Sequence, residues 1–180
     1  AASEGETAVV IGGGTIGLAI TQAFAAVGLR VLVSDISEKK LEKAKAFGAE
    51  VVVNSKKENL VNVVKEFSPN GAEIVVDAVG ITPITECTLA LAGPAARIAV
   101  IGFDEKPMQI PPAVITKREL SILGSRMNNH CFPQVIQWFD ERKINPSAMI
   151  TGIYPLEEVE QAFEATLASQ DSSVKTVIEL

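Results

Sequence analysis

Residues 7–17 read TAVVIGGGTIG, and this stretch decides the fold that we expect for the chain. Thr7–Ile11 is a short apolar run of the kind found in buried strands. Three glycines follow it, and residues 15–27 then carry a helical pattern. The sequence therefore predicts a strand, a tight turn and a helix, which together open a βαβ unit.

Strands and helices continue to alternate after this first unit. A second strand at residues 30–34 precedes a charged helix at 38–47, which ends at Gly48, where a helix C-cap favours a positive φ. Further strands are expected at 50–53, 73–77, 97–101 and 120–123, helices at 59–67, 83–91 and 132–142, and a proline-rich connection at 107–112. Apolar strands of this kind are typical of a parallel sheet covered on both faces. We therefore predict an α/β fold with a doubly wound, six-stranded parallel sheet.

The pattern changes in the last part of the chain. Residues 144–153 are expected to form a loop, because they include Pro146 and Gly152. A helix that opens at Pro155 and runs to residue 168, and a strand at 174–180, then end the sequence. We therefore expect a main domain of residues 4–145 and a C-terminal helix-strand tail of residues 146–180.

The composition argues against several classes of function. The 180 residues carry a formal net charge of -6, whereas nucleic-acid-binding modules usually present a basic surface. No stretch approaches the roughly 20 apolar residues needed to cross a bilayer, and the first residues lack the pattern of a signal peptide. We expect neither nucleic acid nor a membrane as a partner, and we expect a cytoplasmic location.

Cysteine and histidine are too scarce to build a metal site in this chain. Cys87 and Cys131 are isolated from each other and are expected to be reduced. His130 is the one histidine, and a zinc site needs three or four convergent ligands. The sequence therefore predicts no bound metal and no complete catalytic apparatus within these residues.

The glycine turn has the spacing of a dinucleotide-binding motif. Gly12 allows the tight turn, Gly14 lets the backbone approach a pyrophosphate, and Gly17 permits close packing of helix on strand. The amides of Thr15 and Ile16 would face the phosphates at the helix N-terminus. Glycine turns also occur simply to pack a strand on a helix, so the motif needs support from its surroundings.

Asp35 supplies that support. It lies at the end of the second strand, where a carboxylate can accept hydrogen bonds from the adenosine ribose. A carboxylate there would repel a 2′-phosphate, so NAD is favoured over NADP. The alternative is that Asp35 caps the following helix, and the two roles are compatible. Lys39 and Lys40 follow, and either could be an ordinary solvated helix residue.

Three other strand ends would lie at the same edge of the sheet. In a doubly wound fold, ligands bind outside the carboxyl ends of the strands. The residues that end the fourth, fifth and sixth strands read DAVG at 77–80, IGF at 101–103 and GSRM at 124–127. Their position favours ligand contact, and the alternative for the DAVG stretch is a plain strand-to-helix turn.

Several stretches together resemble the zinc-dependent, medium-chain alcohol and polyol dehydrogenase family. They are GGGTIGL from Gly12, Asp35 with Lys40, KAFGA from Lys45, DAVG from Asp77, and Ile101-Gly102. The resemblance runs from about residue 4 to residue 180. The stretches LGSR at 123–126 and FPQVI at 132–136 are most similar to the sorbitol, threonine and sugar-acid branch, nearest to L-galactonate and L-idonate oxidoreductases.

The resemblance implies a Rossmann fold and a particular way of holding NAD. The amides of Thr15 and Ile16 would bind the pyrophosphate, and Asp35 and Lys40 the adenosine ribose. The nicotinamide ribose would contact Ala78, Val79 and Gly80. Arg126 would lie near the active-site end, and the carboxamide would meet the backbone around Gly102, at Ile101, Phe103, Ser125 and Met127.

Family members also have an N-terminal catalytic domain, which supplies the ligands of a catalytic zinc. The resemblance thus implies that residues 146–180 return to a domain missing from this chain. It also implies that the chain by itself binds NAD but does not catalyse hydride transfer. The implied parent enzyme transfers hydride between a secondary alcohol, such as a polyol or sugar acid, and NAD. The resemblance also implies a homo-oligomer that forms through the edge of the sheet, and residues 107–112 would lie beside that edge.

Two alternatives remain open from the residues alone. An S-adenosylmethionine methyltransferase also uses a glycine-rich first turn and an acidic residue after its second strand, but Gly17 and the six-strand pattern disfavour it. A stand-alone NAD-sensing or assembly module would need no general base or metal, and none is evident here.

Overall fold

A six-stranded parallel sheet forms the centre of the molecule, in the order β3-β2-β1-β4-β5-β6. The computed structural model describes residues 2–127 and 129–180. The strands are β1 (Thr7–Ile11), β2 (Arg30–Asp35), β3 (Val51–Asn54), β4 (Ala72–Asp77), β5 (Ala92–Val100) and β6 (Ser121–Gly124). This order reverses between β1 and β4, which is the switch point of the Rossmann arrangement. The predicted doubly wound sheet is confirmed.

The helices that connect these strands end within two residues of the expected positions wherever a helix was predicted. Two of them begin at a side-chain cap: Ser37 accepts a hydrogen bond from the Lys40 amide, and Asn59 accepts one from the Asn62 amide. Gly48, after the second helix, has φ +102° as expected. The helices are α1 (Thr15–Ala26), α2 (Glu38–Ala46), α3 (Leu60–Phe67), α4 (Thr82–Leu91), α5 (Pro112–Arg118) and α6 (Phe132–Asp140).

The sheet is buried on both faces, and successive strand residues enter different cores. Val10 packs with Leu18 of α1 in one cluster, while its neighbour Val9 packs with Val64 of α3 and Leu91 of α4 in the other. This two-sided burial explains why the strands read as continuous apolar runs rather than alternating ones. The helices cover the two faces of the sheet, and the loops that follow β1, β4 and β5 lie at its carboxyl edge.

Helix α5 corrects the expectation that residues 107–112 lead straight to the sixth strand. Pro112 occupies the first helical position, where its fixed φ suits the helix and its missing N–H is not needed. From the sequence, Pro107, Pro111 and Pro112 indicate a proline-rich connection and no helix. The helix packs Val114 and Ile115 against the second core cluster, and this tertiary contact is not visible in the local pattern.

Two strands also differ from the sequence-based expectation. β5 begins at Ala92 rather than Arg97, and its pairing with β4 shifts register between Ala72 and Ile74. The expected loop at residues 144–153 is wrong, because it contains a 3₁₀ turn at Pro146–Met149 and then β7 (Ile150–Pro155). Pro146 lies in the 3₁₀ turn, and Gly152 is tolerated in β7 because this strand belongs to a two-stranded sheet, where no strand is central.

The C-terminal tail forms a small unit of its own that rests on the main domain. β7 pairs in parallel with β8 (Lys175–Glu179), and α7 (Val159–Ala168) connects them after a 3₁₀ turn at Leu156–Glu158. Met149 and Val174 are buried in the same cluster as α1 and β2. Among the described residues, no helix is long and apolar enough to cross a membrane.

Candidate cofactor site

The glycine turn after β1 places the first turn of α1 in close contact with the backbone at Gly12. Gly12 has φ +103°, and its amide donates to the Ser34 carbonyl at 2.7 Å, which ties the turn to β2. A Cβ placed on Gly17 would lie 1.7 Å from the Gly12 carbonyl oxygen. Only glycine fits at position 17, so this residue is required by helix packing, as the motif predicted.

Gly14 has a different reason to be glycine. It is the N-cap of α1 with φ -76° and ψ -171°, a conformation open to any residue, and a Cβ there would meet nothing within 4 Å. No side chain of the described residues caps this helix end. The first turn of α1, which includes the amides of Thr15 and Ile16, thus has no side-chain cap, and unpaired amides at a helix N-terminus suit an anion.

Asp35 joins the glycine turn to the start of α2. Its Oδ2 accepts from the Gly13 amide at 2.6 Å, and its Oδ1 accepts from the Ser37 amide at 2.8 Å. The N-cap of α2 is Ser37, so the alternative in which Asp35 caps the helix is wrong. A carboxylate can accept about four hydrogen bonds, so two internal ones leave capacity for a ribose. Gly13 was not among the predicted site residues, although its amide donates to Asp35.

A cavity of about 580 Å³ opens beside Asp35. One wall belongs to the main domain and includes the half-buried Lys40, together with Lys56, which the sequence did not single out. Neither lysine is in an ion pair within residues 2–127 and 129–180. Two cations beside one carboxylate suit a ligand that carries both hydroxyl groups and phosphates.

The other wall of this cavity is the tail, which sequence reasoning placed elsewhere. The Thr15 hydroxyl donates to the Val174 carbonyl, and the Ser37 hydroxyl donates to the Asp171 carbonyl at 2.5 Å. Lys39 Nζ lies 2.9 Å from Asp171 Oδ2, and this hydrogen bond holds the pKa of Asp171 below its ordinary value. Contacts across more than 130 residues leave no local signal, so nothing in the pattern could have revealed them.

The turns that follow β4 and β5 meet at two glycines, Gly80 and Gly102. Gly80 has φ +78°, and a Cβ on Gly102 would lie 2.4 Å from the Gly80 Cα. The Ala78 amide donates to the Ile11 carbonyl at 2.9 Å, so the turn after β4 also lies against β1. The turns that follow β1, β4 and β5 thus lie side by side. We call the edge formed by residues 78–80, 101–103 and 125–127 the rim.

Asp104 is a further residue of this rim that the sequence analysis missed. Its carboxylate accepts from the Thr82 amide at 3.2 Å and from the Thr82 hydroxyl at 2.9 Å. These hydrogen bonds, the amide first, lower the pKa of Asp104. They tie the loop after β5 to the start of α4.

The residues after β6 lie at the outer end of the rim. The Ser125 amide donates to the Val100 carbonyl at 3.0 Å, and the Arg126 guanidinium lies 5.2 Å from the centre of the Phe103 ring. Met127 is 80% exposed and Phe103 is 74% exposed. Both apolar side chains are thus exposed to solvent in the segments that follow β5 and β6.

The described residues do not fit a zinc ion. Within residues 2–127 and 129–180, no three His, Cys, Asp or Glu side chains come together in a way that could hold a metal. Cys87 is half-buried in the second core and Cys131 is exposed, so they lie in different surroundings. Burial raises the pKa of the Cys87 thiol, which disfavours the thiolate that a metal requires.

Comparison with known proteins places this geometry among dehydrogenases. The sequence profile described as zinc-binding dehydrogenase matches residues 15–141. The starvation-sensing protein RspB of Escherichia coli (strain K12) is 33% identical over 180 residues, with 98% of this chain and 52% of that protein covered. D-arabitol-phosphate dehydrogenase of Enterococcus avium is 32% identical over 179 residues, with 97% and 50% covered. The chain spans about half the length of the curated relatives it matches.

A solved structure gives the same result for the fold. The crystal structure of a short chain alcohol dehydrogenase (rspB) from E. coli CFT073, complexed with the cofactor NADH, matches with a TM-score of 0.91 at 32% identity. The match covers 99% of this chain and 53% of that chain. The main domain and the tail therefore both have counterparts, in the same relative arrangement, in one half of that enzyme.

Proposed function

Because this chain belongs to the zinc-binding dehydrogenase family, we propose that it is the NAD-binding half of an oxidoreductase acting on a secondary alcohol. The observation that carries the proposal is the uncapped N-terminus of α1 at Gly14, with the Asp35 carboxylate beside it. The first feature suits a pyrophosphate and the second suits an unphosphorylated ribose. Support also comes from the solved relative, which was crystallised with NADH.

We assign the predicted residues to three parts of the cofactor. The amides of Thr15 and Ile16 bind the pyrophosphate within the turn built by Gly12, Gly14 and Gly17. Asp35 and Lys40 bind the adenosine ribose. The rim binds the nicotinamide half, through Ala78, Val79, Gly80, Ile101, Gly102, Phe103, Ser125, Arg126 and Met127.

The chain's own contribution to the reaction is binding and orientation. When bound, the nicotinamide supplies a carbon that accepts or donates hydride. The backbone of the glycine-lined rim would contact the nicotinamide, and the α1 amides would hold the pyrophosphate. The described residues contain no cluster suited to zinc, so we assign the zinc ligands and the alcohol pocket to the part of the enzyme that the relatives have beyond this half.

We also propose that residues 4–145 are the cofactor domain and that residues 146–180 return to the catalytic domain. Apolar side chains on the tail support this division, since Phe163 is 68% exposed and Leu167 is 65% exposed. Helical residues of this kind normally face a core. In the parent enzyme, a second domain would cover them.

Replacing the exposed tail side chains tests this division. We expect Phe163→Ser combined with Leu167→Ser to change the unfolding free energy of the chain by less than about 0.5 kcal/mol, as for other surface changes. Val174→Ser is the matched control, because Val174 is buried against the main domain, and it should cost about 2 kcal/mol. Urea denaturation measures both, and a large loss in the double variant would show that these side chains are already covered.

Cofactor titration tests the function itself. We expect the chain to bind NADH more tightly than NADPH in a fluorescence titration, because Asp35 opposes a 2′-phosphate. We expect no oxidation of polyols or sugar acids with NAD and zinc present, since no described cluster holds the metal. Preferential binding of NADPH would overturn the role of Asp35, and turnover by this chain alone would overturn the division of labour.

The other candidates make different predictions. A methyltransferase would bind S-adenosylmethionine, so calorimetry with S-adenosylmethionine and NAD side by side separates the two functions. Neither relative reported above is named as a methyltransferase. A stand-alone NAD-sensing module would bind NAD but would not gain activity when joined to the zinc-binding half of a relative, whereas we expect that fusion to oxidise an alcohol.

Assembly, substrate and location complete the proposal. We propose a homo-oligomer formed through β6, which is the last strand of the sheet and leaves Leu123 exposed. Light scattering coupled to size exclusion would reveal a monomer if this is wrong.

A polyol or sugar acid is the proposed substrate class, supported by the polyol-phosphate dehydrogenase among the relatives. The cytoplasmic location stays a prediction.

A further inference from the structure

Asp77 is a buried carboxylate to which the proposed site gives no role. It is the last residue of β4, and its exposure is 0%. Aspartate is almost never fully buried unless it is paired. None of the salt bridges within residues 2–127 and 129–180 includes it. Hydrogen bonds must therefore compensate for its loss of hydration.

Both carboxylate oxygens of Asp77 accept hydrogen bonds, one from the turn that follows β4 and the other from α4. Oδ1 accepts from the Val79 amide at 2.9 Å and from the Gly80 amide at 3.0 Å. Oδ2 accepts from the Thr85 hydroxyl at 2.5 Å, which holds the carboxylate against α4. The carboxylate thus sets the path of the backbone at Val79 and Gly80.

The main chain of the same residue acts on the neighbouring strand. The Asp77 carbonyl accepts from the Ile101 amide at 3.0 Å and from the Gly102 amide at 3.2 Å. Gly80 and Gly102 are so close that neither could carry a Cβ. One buried residue therefore connects the turn after β4 with the loop after β5, and any shift in one would be passed to the other.

We propose that Asp77 is the positioning residue for the nicotinamide half of the cofactor. Its side chain shapes the turn at Val79 and Gly80, and its carbonyl holds the backbone at Ile101 and Gly102. Asp77 would not touch the cofactor itself. This inference rests on the proposed function, because it takes the rim to be the surface that meets the nicotinamide.

The test compares NADH with ADP-ribose, which lacks the nicotinamide. In the whole 180-residue chain, we expect Asp77→Ala to weaken NADH binding about tenfold or more while the Kd of ADP-ribose changes less than about twofold, so the two effects differ by at least about fivefold. The emission of bound NADH should also shift towards that of free NADH, since it reports on the surroundings of the nicotinamide. Asp77→Asn keeps an oxygen for the Val79 and Gly80 amides, and it should restore most of the NADH affinity.

A matched pair on α4 keeps the test decisive if the alanine variant does not fold. Thr85→Val removes the hydroxyl that binds Asp77, while Thr88→Val removes a buried hydroxyl that donates to the Thr85 carbonyl at 2.6 Å. Both threonines are buried. We expect the first variant to weaken NADH about threefold to fivefold and the second to leave the Kd of NADH and of ADP-ribose unchanged.

The outcomes separate this inference from the proposed function. If the wild-type chain binds neither NADH nor ADP-ribose, the proposed function is wrong. If it binds both, and Thr85→Val behaves like Thr88→Val, Asp77 has no positioning role. Equal weakening of NADH and ADP-ribose in Asp77→Ala, or a loss in Asp77→Asn as large as in Asp77→Ala, would also overturn the inference, because the effect would then not be local hydrogen bonding at the nicotinamide.

Discussion

Gly14→Ala should weaken NADH binding about 100-fold, which corresponds to about 2.7 kcal/mol, and leave the fold intact. The new methyl group meets no protein atom within 4 Å, and the backbone conformation suits alanine. Alanine is a poorer N-cap than glycine, which lowers the free energy of unfolding, but it also makes the unfolded chain less flexible, which raises it. Each effect is about 1 kcal/mol or less, and the two oppose each other. The space that it fills is where we place the pyrophosphate. NADH titration and the Tm of the apo chain measure the two effects.

Gly17→Ala is the matched control, because the same substitution three residues later should act on the fold. Its Cβ would lie 1.7 Å from the Gly12 carbonyl oxygen. The helix must move away from β1, and we expect a loss of about 3 kcal/mol or more of stability. If Gly14→Ala binds NADH like the wild type, the pyrophosphate does not lie at this helix end.

Asp35→Asn should lower the preference for NADH over NADPH about 100-fold. At 4 Å and an effective dielectric constant of 20, two unit charges repel by about 4 kcal/mol, so removing one of them has a large effect on a 2′-phosphate. The affinity for NADH itself should fall less, about tenfold, because the amide oxygen can still accept one of the two bonds from Gly13 and Ser37. Parallel titrations with NADH and NADPH measure the ratio.

Asp35→Ala serves as the control for the hydrogen bonds. It removes both acceptors, so the Gly13 and Ser37 amides lose their partner, and we expect a loss of about 1–3 kcal/mol of stability. The ratio of the two cofactors should match that of Asp35→Asn, since both variants lack the charge. A wild-type ratio in either variant would show that the charge of Asp35 does not set the choice of cofactor.

Local patterns predicted the parts of the site that depend on a single turn. Gly12, Gly17 and Gly80 are required by a positive φ or by a contact with a neighbouring backbone atom, and glycine is the residue that meets both demands. Asp35 could be found because its position at a strand end is fixed by the length of the βαβ unit. Local patterns were less successful for β7, where Pro146 and Gly152 indicated a loop and pairing with β8 produced a strand.

The sequence by itself determined the strand-turn-helix at residues 7–17, the six-stranded sheet and the set of strand ends that line the cleft. These follow from apolar periodicity and from the steric demands of single residues, which act over a few positions. Only the tertiary structure showed that Val174 and Asp171 lie against Thr15 and Ser37, and that Asp77 connects two strand ends. Such contacts depend on how separate elements pack, and a hydrogen bond between distant residues leaves no periodic trace in either segment.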